Sequence, residues 1–372
     1  MANSLYMHIP FCRGKCPYCD FISVSYDKGL AGAYLEVLYR QIAELEGEFS
    51  TIYIGGGTPT ILDKAPLEKL LKLLKKLKTK EFTVEANPES LTADKLKLFL
   101  DCGVNRISIG IQSLYDYKLK QLGRIHSSKQ AREAVFLAKK IGFKNVSIDL
   151  IFGLWGESLE SWQRELEEAG DLPITHISVY SLTYEKGTSF YERMKKKEIT
   201  PLNGGIMAKM YKFAINYLPK KGFEHYEVSN FAHKGFFCRH NLNYWQNCSY
   251  IGLGASAVSY QKGVRSRITP DIKDYILKLN KEEQPVVFKE KLSPLKRAKE
   301  TAALKIRTKQ GIDFDWFKGA SGFDFMEIES GSLEELAKKG LFKYRKKAGE
   351  AVGVYLTKKG FLFCDEVCAG FL

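Results

Sequence analysis

No uncharged apolar run in this chain approaches the ~18 residues that a membrane span needs, and the opening MANSLYMHIPFC has neither a basic n-region nor an apolar h-region. These absences argue against membrane insertion and secretion, and the expected location is cytoplasmic. No low-complexity segment interrupts the chain, and no repeat exceeds a strand-helix alternation. Hydrophobic residues make up 45% and charged residues 27%, so the chain is expected to fold throughout. Cysteine is sparse and uneven: of eight, at positions 12, 16, 19, 102, 238, 248, 364 and 368, three crowd one short loop. That distribution excludes a disulfide frame and points to a metal site in a reducing compartment.

Acidic residues are outnumbered 43 to 57, a formal net charge of +14. The excess permits attraction to nucleic acid, anionic lipid or an acidic ligand such as a porphyrin propionate, and by itself selects none. Much of it is dispersed over solvated faces: from Asp63 to Lys80, Leu67, Leu70, Leu71, Leu74 and Leu77 form one helical stripe and lysines occupy the rest.

At 372 residues the chain predicts a large unit and a smaller second module. Six short apolar runs, Leu5 to Ile9, Thr51 to Ile54, Phe82 to Ala86, Arg106 to Ile111, Val146 to Ile151 and Thr175 to Ser181, each precede a helical pattern. The helices are predicted at Ala31 to Glu46, Pro66 to Lys78, Thr92 to Asp101, Ser128 to Ile141, Leu159 to Ala169 and Ile206 to Leu218. The fold class is therefore α/β, a partial (β/α)6 barrel over residues 1–220, since a closed eight-unit barrel needs two more units than this region supplies. An aromatic and glycine-rich stretch over 221–285 is expected to cover the open side. Residues 286–372 predict a winged-helix-like α+β module of helices, two short strands and a last helix.

Directly after the first strand, YMHIPFCRGKCPYCDF places Cys12, Cys16 and Cys19 at Cys-x3-Cys-x2-Cys. A structural zinc ion wants four ligands, and His8 is the available fourth; a four-iron cluster on three thiolates leaves one iron open. The neighbours Arg13, Gly14 and Lys15 are not those of packed core cysteines. Gly55, Gly56 and Gly57 with Thr58 follow the second strand, where backbone without side chains approaches a ligand closely or simply turns. Glu85, Gln112 and Asp149 end the third, fourth and fifth strands, where burial without a partner is costly and a ligand or a neighbouring strand end must satisfy them. Arg124 is placed to clamp a carboxylate.

The cysteine spacing resembles the signature of the radical S-adenosylmethionine superfamily. Over most of its length, through YMHIPFCRGKCPYCDF, IGGGTPT, VEANPES, SIGIQSL, LGRIH and IDLIFGL, the chain is similar to the oxygen-independent coproporphyrinogen III oxidase family. The resemblance implies a [4Fe-4S] cluster on Cys12, Cys16 and Cys19, with S-adenosylmethionine chelated at the open iron and an electron donor to reduce the cluster. It implies S-adenosylmethionine contacts at Tyr6, Gly56, Gly57, Thr58, Glu85, Gln112, Arg124 and Asp149. Tyr18, which with Tyr6 flanks the cluster loop, either limits solvent access or packs.

Two departures separate the chain from the oxidase branch. Phe21 stands where that branch has a further cysteine, and the extension that precedes its cysteine loop is not in this sequence. Both resemble the haem chaperone branch, whose His-Asn-x-x-Tyr-Trp is matched by HNLNYW, His240 to Trp245. The resemblance implies haem or a related tetrapyrrole as cargo, an acceptor haemoprotein and a possible homodimer, with His240 the candidate haem ligand and Cys238 its rival. An anchoring role for His240 and Trp245 is the alternative. The competing functions are oxidative decarboxylation of coproporphyrinogen III and radical modification of RNA; no RNA-binding signature supports the latter, and nucleic acid is not an expected partner. Cys364 and Cys368, one helical turn apart, and Cys102 and Cys248 are read as small buried residues.

Overall fold

The computed structural model describes residues 4–329 and 332–372. Six parallel strands, β1 (Ser4–Ile9), β2 (Thr51–Gly56), β3 (Glu81–Ala86), β4 (Arg106–Gln112), β5 (Asn145–Phe152) and β6 (His176–Ser181), lie side by side in chain order. Between and after them run α1 (Lys28–Ala43), α2 (Lys64–Lys75), α3 (Ala93–Asp101), α4 (Asp116–Gln121), α5 (Ser128–Ile141), α6 (Leu159–Gly170), α7 (Ser189–Lys195) and α8 (Gly204–Tyr217). All the long helices here except α2 begin where a side chain satisfies a free N–H group of the first turn: Asp27, Thr92, Ser158 and Asn203 each accept one, and Ser127 with Gln130 forms a reciprocal capping box. The two short helices α4 and α7 were not predicted, because one or two turns are too few to show a helical period.

Period-two alternation divides each strand between two environments. Leu5, Met7 and Ile9, Ile52 and Ile54, Phe82 and Val84, and Ile107 and Ile109 are buried in one core with Leu35 and Leu38 of α1 and Leu67, Leu70, Leu71 and Leu74 of α2. The residues between them are polar: Thr51, Glu81, Thr83, Glu85, Arg106, Ser108, Ser147, Asp149, His176 and Ser178. The strands are therefore apolar toward the helices and polar toward the concave side, which makes that side a lined site.

The stretch expected to cover the open side extends the sheet at both edges. The strands β7 (Glu224–Glu227) and β8 (Asn230–Ala232) add antiparallel beyond β6. At the other edge β9 (Tyr250–Leu253) pairs parallel with β1, followed by antiparallel β10 (Val258–Gln261), β11 (Val264–Ile268) and β12 (Val286–Lys291), giving one twelve-stranded sheet. The helix α9 (Arg239–Trp245) lies at the strands' N-terminal ends, where the Glu81 carboxylate accepts the backbone N–H groups of Arg239 and His240, each at 3.0 Å. Beyond α10 (Ile272–Asn280), the C-terminal module runs α11 (Pro294–Lys305), β13 (Ile312–Asp313), α12 (Phe314–Ser321), α13 (Phe325–Glu329), α14 (Ser332–Lys338), then the hairpin β14 (Phe342–Lys347) and β15 (Glu350–Leu356). This is a winged-helix order, closed by α15 (Lys358–Leu362) and α16 (Cys364–Ala369), and its core is continuous with that of the barrel. Among the described residues no helix is long and apolar enough to cross a membrane.

Candidate functional site

The cysteine loop leaves β1 at the C-terminal rim of the barrel. Its ends are tied by a two-residue ladder, Phe11–Cys12 against Val24–Ser25, and by the N–H of Tyr26 donating to Cys12 O at 2.8 Å. The glycine turn after β2 docks against it: Gly57 N donates to Ile9 O and Thr58 N to Phe11 O. A methyl group on Gly57 would meet Phe11 O at 2.6 Å and Cys12 Sγ at 3.0 Å, and Gly56 sits at φ +111 with no room for a Cβ beside His8. Close approach and a left-handed backbone thus both require glycine here.

Cys12, Cys16 and Cys19 are half-buried and line a cavity of about 570 Å³. Its other walls include Gly56, Gly57, Thr58, Glu85, Gln112, Arg124 and Asp149, so seven of the eight residues predicted to contact S-adenosylmethionine converge with the cysteines on one space. Tyr6 does not line it. Its hydroxyl bonds to His8 Nδ1 at 3.0 Å, and its ring faces a second, adjacent cleft. The other nitrogen of His8 is held by Ile22 O at 2.8 Å, so that imidazole is engaged away from the thiols.

The donor set suits a cluster. Cys12, Cys16 and Cys19 stand in one loop with His8 engaged by Tyr6 and Ile22, so three thiolates are the donors at hand, and each thiolate of a four-iron cluster binds a different iron. Arg124 sits against the loop, with Nη1 at 3.4 Å from Cys16 Sγ and Nη2 donating to Asn87 Oδ1 at 2.7 Å and Gly110 O at 3.0 Å; its Nε is buried without a partner. Asn87 in turn donates to Thr58 Oγ1 at 2.9 Å.

Opposite the cysteines are two carboxyls in a low-dielectric setting. Burial pushes Glu85 up to about 7, opposed by the Tyr53 hydroxyl donating to Oε1 at 2.7 Å and Gly56 N to Oε2 at 3.1 Å. Burial also raises Asp149, against hydrogen bonds from Ser178 and Ser108. Such groups can accept from an amine or from hydroxyls, while Arg124 can face a carboxylate. Tyr53 and Asn87 escaped the sequence reading. Tyr53 lies within an apolar run and passes for packing, and the one available signal for Asn87 is its place two residues past Glu85, just before Pro88.

His240 lies elsewhere. It is 2% exposed, with Nδ1 2.7 Å from Thr51 Oγ1, Nε2 3.0 Å from the Tyr244 hydroxyl, and its ring stacked on Tyr53 at 4.8 Å. Burial first, and Arg106 second, lower its pKa to about 3, so it is neutral. Cys238 is buried beside Glu81, and burial pushes its thiol up to about 12. Cys102, Cys364 and Cys368 are buried as expected, whereas Cys248 is half-buried.

The Radical SAM superfamily profile matches residues 6–169. Heme chaperone HemW of Lactococcus lactis is 35% identical over 376 residues, covering 100% of this chain and 97% of the relative. That of Bacillus subtilis is 35% identical over 380 residues, covering 100% and 99%, and that of Escherichia coli is 39% identical over 265 residues, covering 68% and 69%. Among solved structures, the coproporphyrinogen III oxidase HemN from Escherichia coli shares the fold, with a TM-score of 0.83 over 99% of this chain and 89% of that one at 22% identity. The chain therefore belongs to the radical SAM superfamily and, within it, to the family of the heme chaperone HemW.

Proposed function

We propose that this chain is a haem carrier: it holds a [4Fe-4S] cluster on Cys12, Cys16 and Cys19, binds S-adenosylmethionine in the adjoining cavity, and passes haem to an acceptor haemoprotein. The observation that carries the reading is the alignment of the Lactococcus and Bacillus heme chaperones with the whole chain, C-terminal module included. Radical SAM proteins as a class use S-adenosylmethionine with a four-iron cluster, which together supply a 5'-deoxyadenosyl radical.

This chain's own residues have separable tasks in the proposal. Gly56 and Gly57 let the ligand lie against backbone, and Glu85, Gln112 and Asp149 take its amine and hydroxyls. Arg124 and Thr58 steady the loop that carries Cys16 and Cys12. His240 remains in the haem-binding proposal under a condition set by its surroundings: both ring nitrogens are engaged, so ligation of iron requires α9 to release them from Thr51 and Tyr244. An electron donor and a homodimer belong to the same proposal.

The test is anaerobic reconstitution of the full chain followed by titration with haem and, separately, with coproporphyrinogen III. Haem retained unaltered and coproporphyrinogen left unconverted is the expected result. Conversion of coproporphyrinogen to protoporphyrinogen overturns the reading in favour of the oxidase.

A further inference from the structure

We propose, resting on the reading of the chain as a haem carrier, that the tetrapyrrole enters edge-first into the tyrosine-walled cleft beside the cluster loop, where Arg267 takes a propionate. The cleft, about 360 Å³, lies between Phe21 and Ile22 of the loop and Tyr250 and Val258 of β9 and β10, with Tyr6 and Tyr244 among its walls. It shares Asp20 and Phe21 with the cluster cavity, so the two are neighbours. Aromatic rings are the natural walls for a flat apolar macrocycle.

A cleft of that size takes one edge of a porphyrin, and the rest must lie against something outside it. Strand register supplies the surface. Val258 is directly opposite Arg267, and Arg267 directly opposite Phe288, so these three form one row on one face of β10, β11 and β12, starting at the cleft wall. The Arg267 guanidinium lies 5.9 Å from the Phe288 ring centroid. Its neighbour Arg265 is engaged by Glu290 and Glu300, whereas Arg267 has no ion pair among the described residues. Phe21 and Phe288 are 62% and 44% exposed. Exposed aromatic surface with one unneutralised cation complements a ligand that is apolar in its plane and anionic at its rim.

The cleft also gives the HNLNYW motif a physical role. Thr51 Oγ1 donates to Ser4 Oγ, so it accepts from His240 Nδ1–H, which leaves Nε2 to accept from the Tyr244 hydroxyl. Four residues apart on α9, the two side chains share one face and meet edge to face, with ring centroids 5.0 Å apart. His240 is in this sense a positioning residue that sets Tyr244 at the cleft wall, and seating the macrocycle needs no ligation by iron.

The experiment titrates the full, cluster-loaded chain anaerobically with haemin, metal-free protoporphyrin IX and protoporphyrin IX dimethyl ester, read by porphyrin absorbance and fluorescence. Val258→Trp, which fills the cleft, is expected to weaken protoporphyrin binding about tenfold or more, with cluster iron content serving as the folding control. Arg267→Gln, a surface change that leaves the fold alone, is expected to weaken protoporphyrin about threefold or more while leaving the dimethyl ester unchanged. Metal-free protoporphyrin binding by the natural chain supports the cleft. Haemin bound with undiminished affinity by both variants overturns the cleft and leaves the haem-carrier reading standing. Failure of the natural chain to bind any of the three overturns both.

Discussion

Removing the Tyr53 hydroxyl should move the pH at which the chain takes up S-adenosylmethionine. Glu85 is a poised carboxyl of the cysteine-lined cavity: burial lifts it to about 7, while the Tyr53 hydroxyl at 2.7 Å and the Gly56 N–H at 3.1 Å pull it down. A hydrogen bond to a charged group is worth about 1.5–3 kcal/mol. At ~1.36 kcal/mol per pKa unit, its loss in Tyr53→Phe raises Glu85 by about 1–2 units. Near pH 7 the natural carboxyl is about half ionised and the variant about one-tenth or less. If the ionised carboxylate receives the ligand, affinity near pH 7 falls about fivefold or more and recovers above about pH 9. Phenylalanine keeps the ring stacked on His240, so the fold is spared. Equilibrium dialysis of S-adenosylmethionine against the cluster-loaded chain from about pH 6 to 10 measures this. Superimposable pH profiles for the two proteins would refute the reasoning.

Gly57→Ala presses a methyl group on Phe11 O and Cys12 Sγ, an overpacking of about 1–3 kcal/mol, and should lower iron and sulfide content after reconstitution with an unchanged far-ultraviolet spectrum; full loading argues against the docked-loop geometry. Lys118, with Glu157 and Glu165, is a buried triad that ties the chain beyond β4 to that beyond β5. Lys118→Met strands two buried carboxylates and should cost about 3–5 kcal/mol in urea unfolding; a loss under about 1 kcal/mol contradicts a structural charge network. Glu227, at 0% exposure, is raised by burial to about 7. It holds its proton more tightly folded than unfolded, so its contribution to stability is lost as pH rises from about 4.5 through about 7. Glu227→Gln cannot ionise, and should gain about 1–3 kcal/mol on the natural chain at pH 8 relative to pH 5; a difference independent of pH removes Glu227 as the titrating group.

Much of this was legible in one dimension. Local periodicity is dictated by backbone geometry and by which face meets apolar neighbours, so all six strands and the six long helices of the barrel fall within a few residues of their predicted limits. The cysteine loop was readable because its three thiols are close in sequence and chemically unlike their surroundings, and the fold sets all three on one cavity. The strand-end residues Glu85, Gln112 and Asp149 were readable because a polar group ending an apolar strand needs a partner.

What the chain written out could not disclose depends on pairings between residues far apart. Tyr53 reads as one more apolar strand residue until the barrel curves it against Glu85 and His240, 32 and 187 positions away in sequence. His240 reads equally as a ligand or an anchor, and only the folded chain shows both of its nitrogens engaged, by Thr51 and Tyr244. The row from Val258 to Phe288 exists only in the register of three antiparallel strands. The sequence by itself determined the six strands and six long helices of the barrel, the barrel class and the loop where three thiols gather, since these rest on local geometry and on donors crowded in one loop. Tertiary structure alone decided which polar side chains share a cavity and which histidine is closed, because burial and hydrogen bonding between distant strands follow from how the sheet curves and pairs.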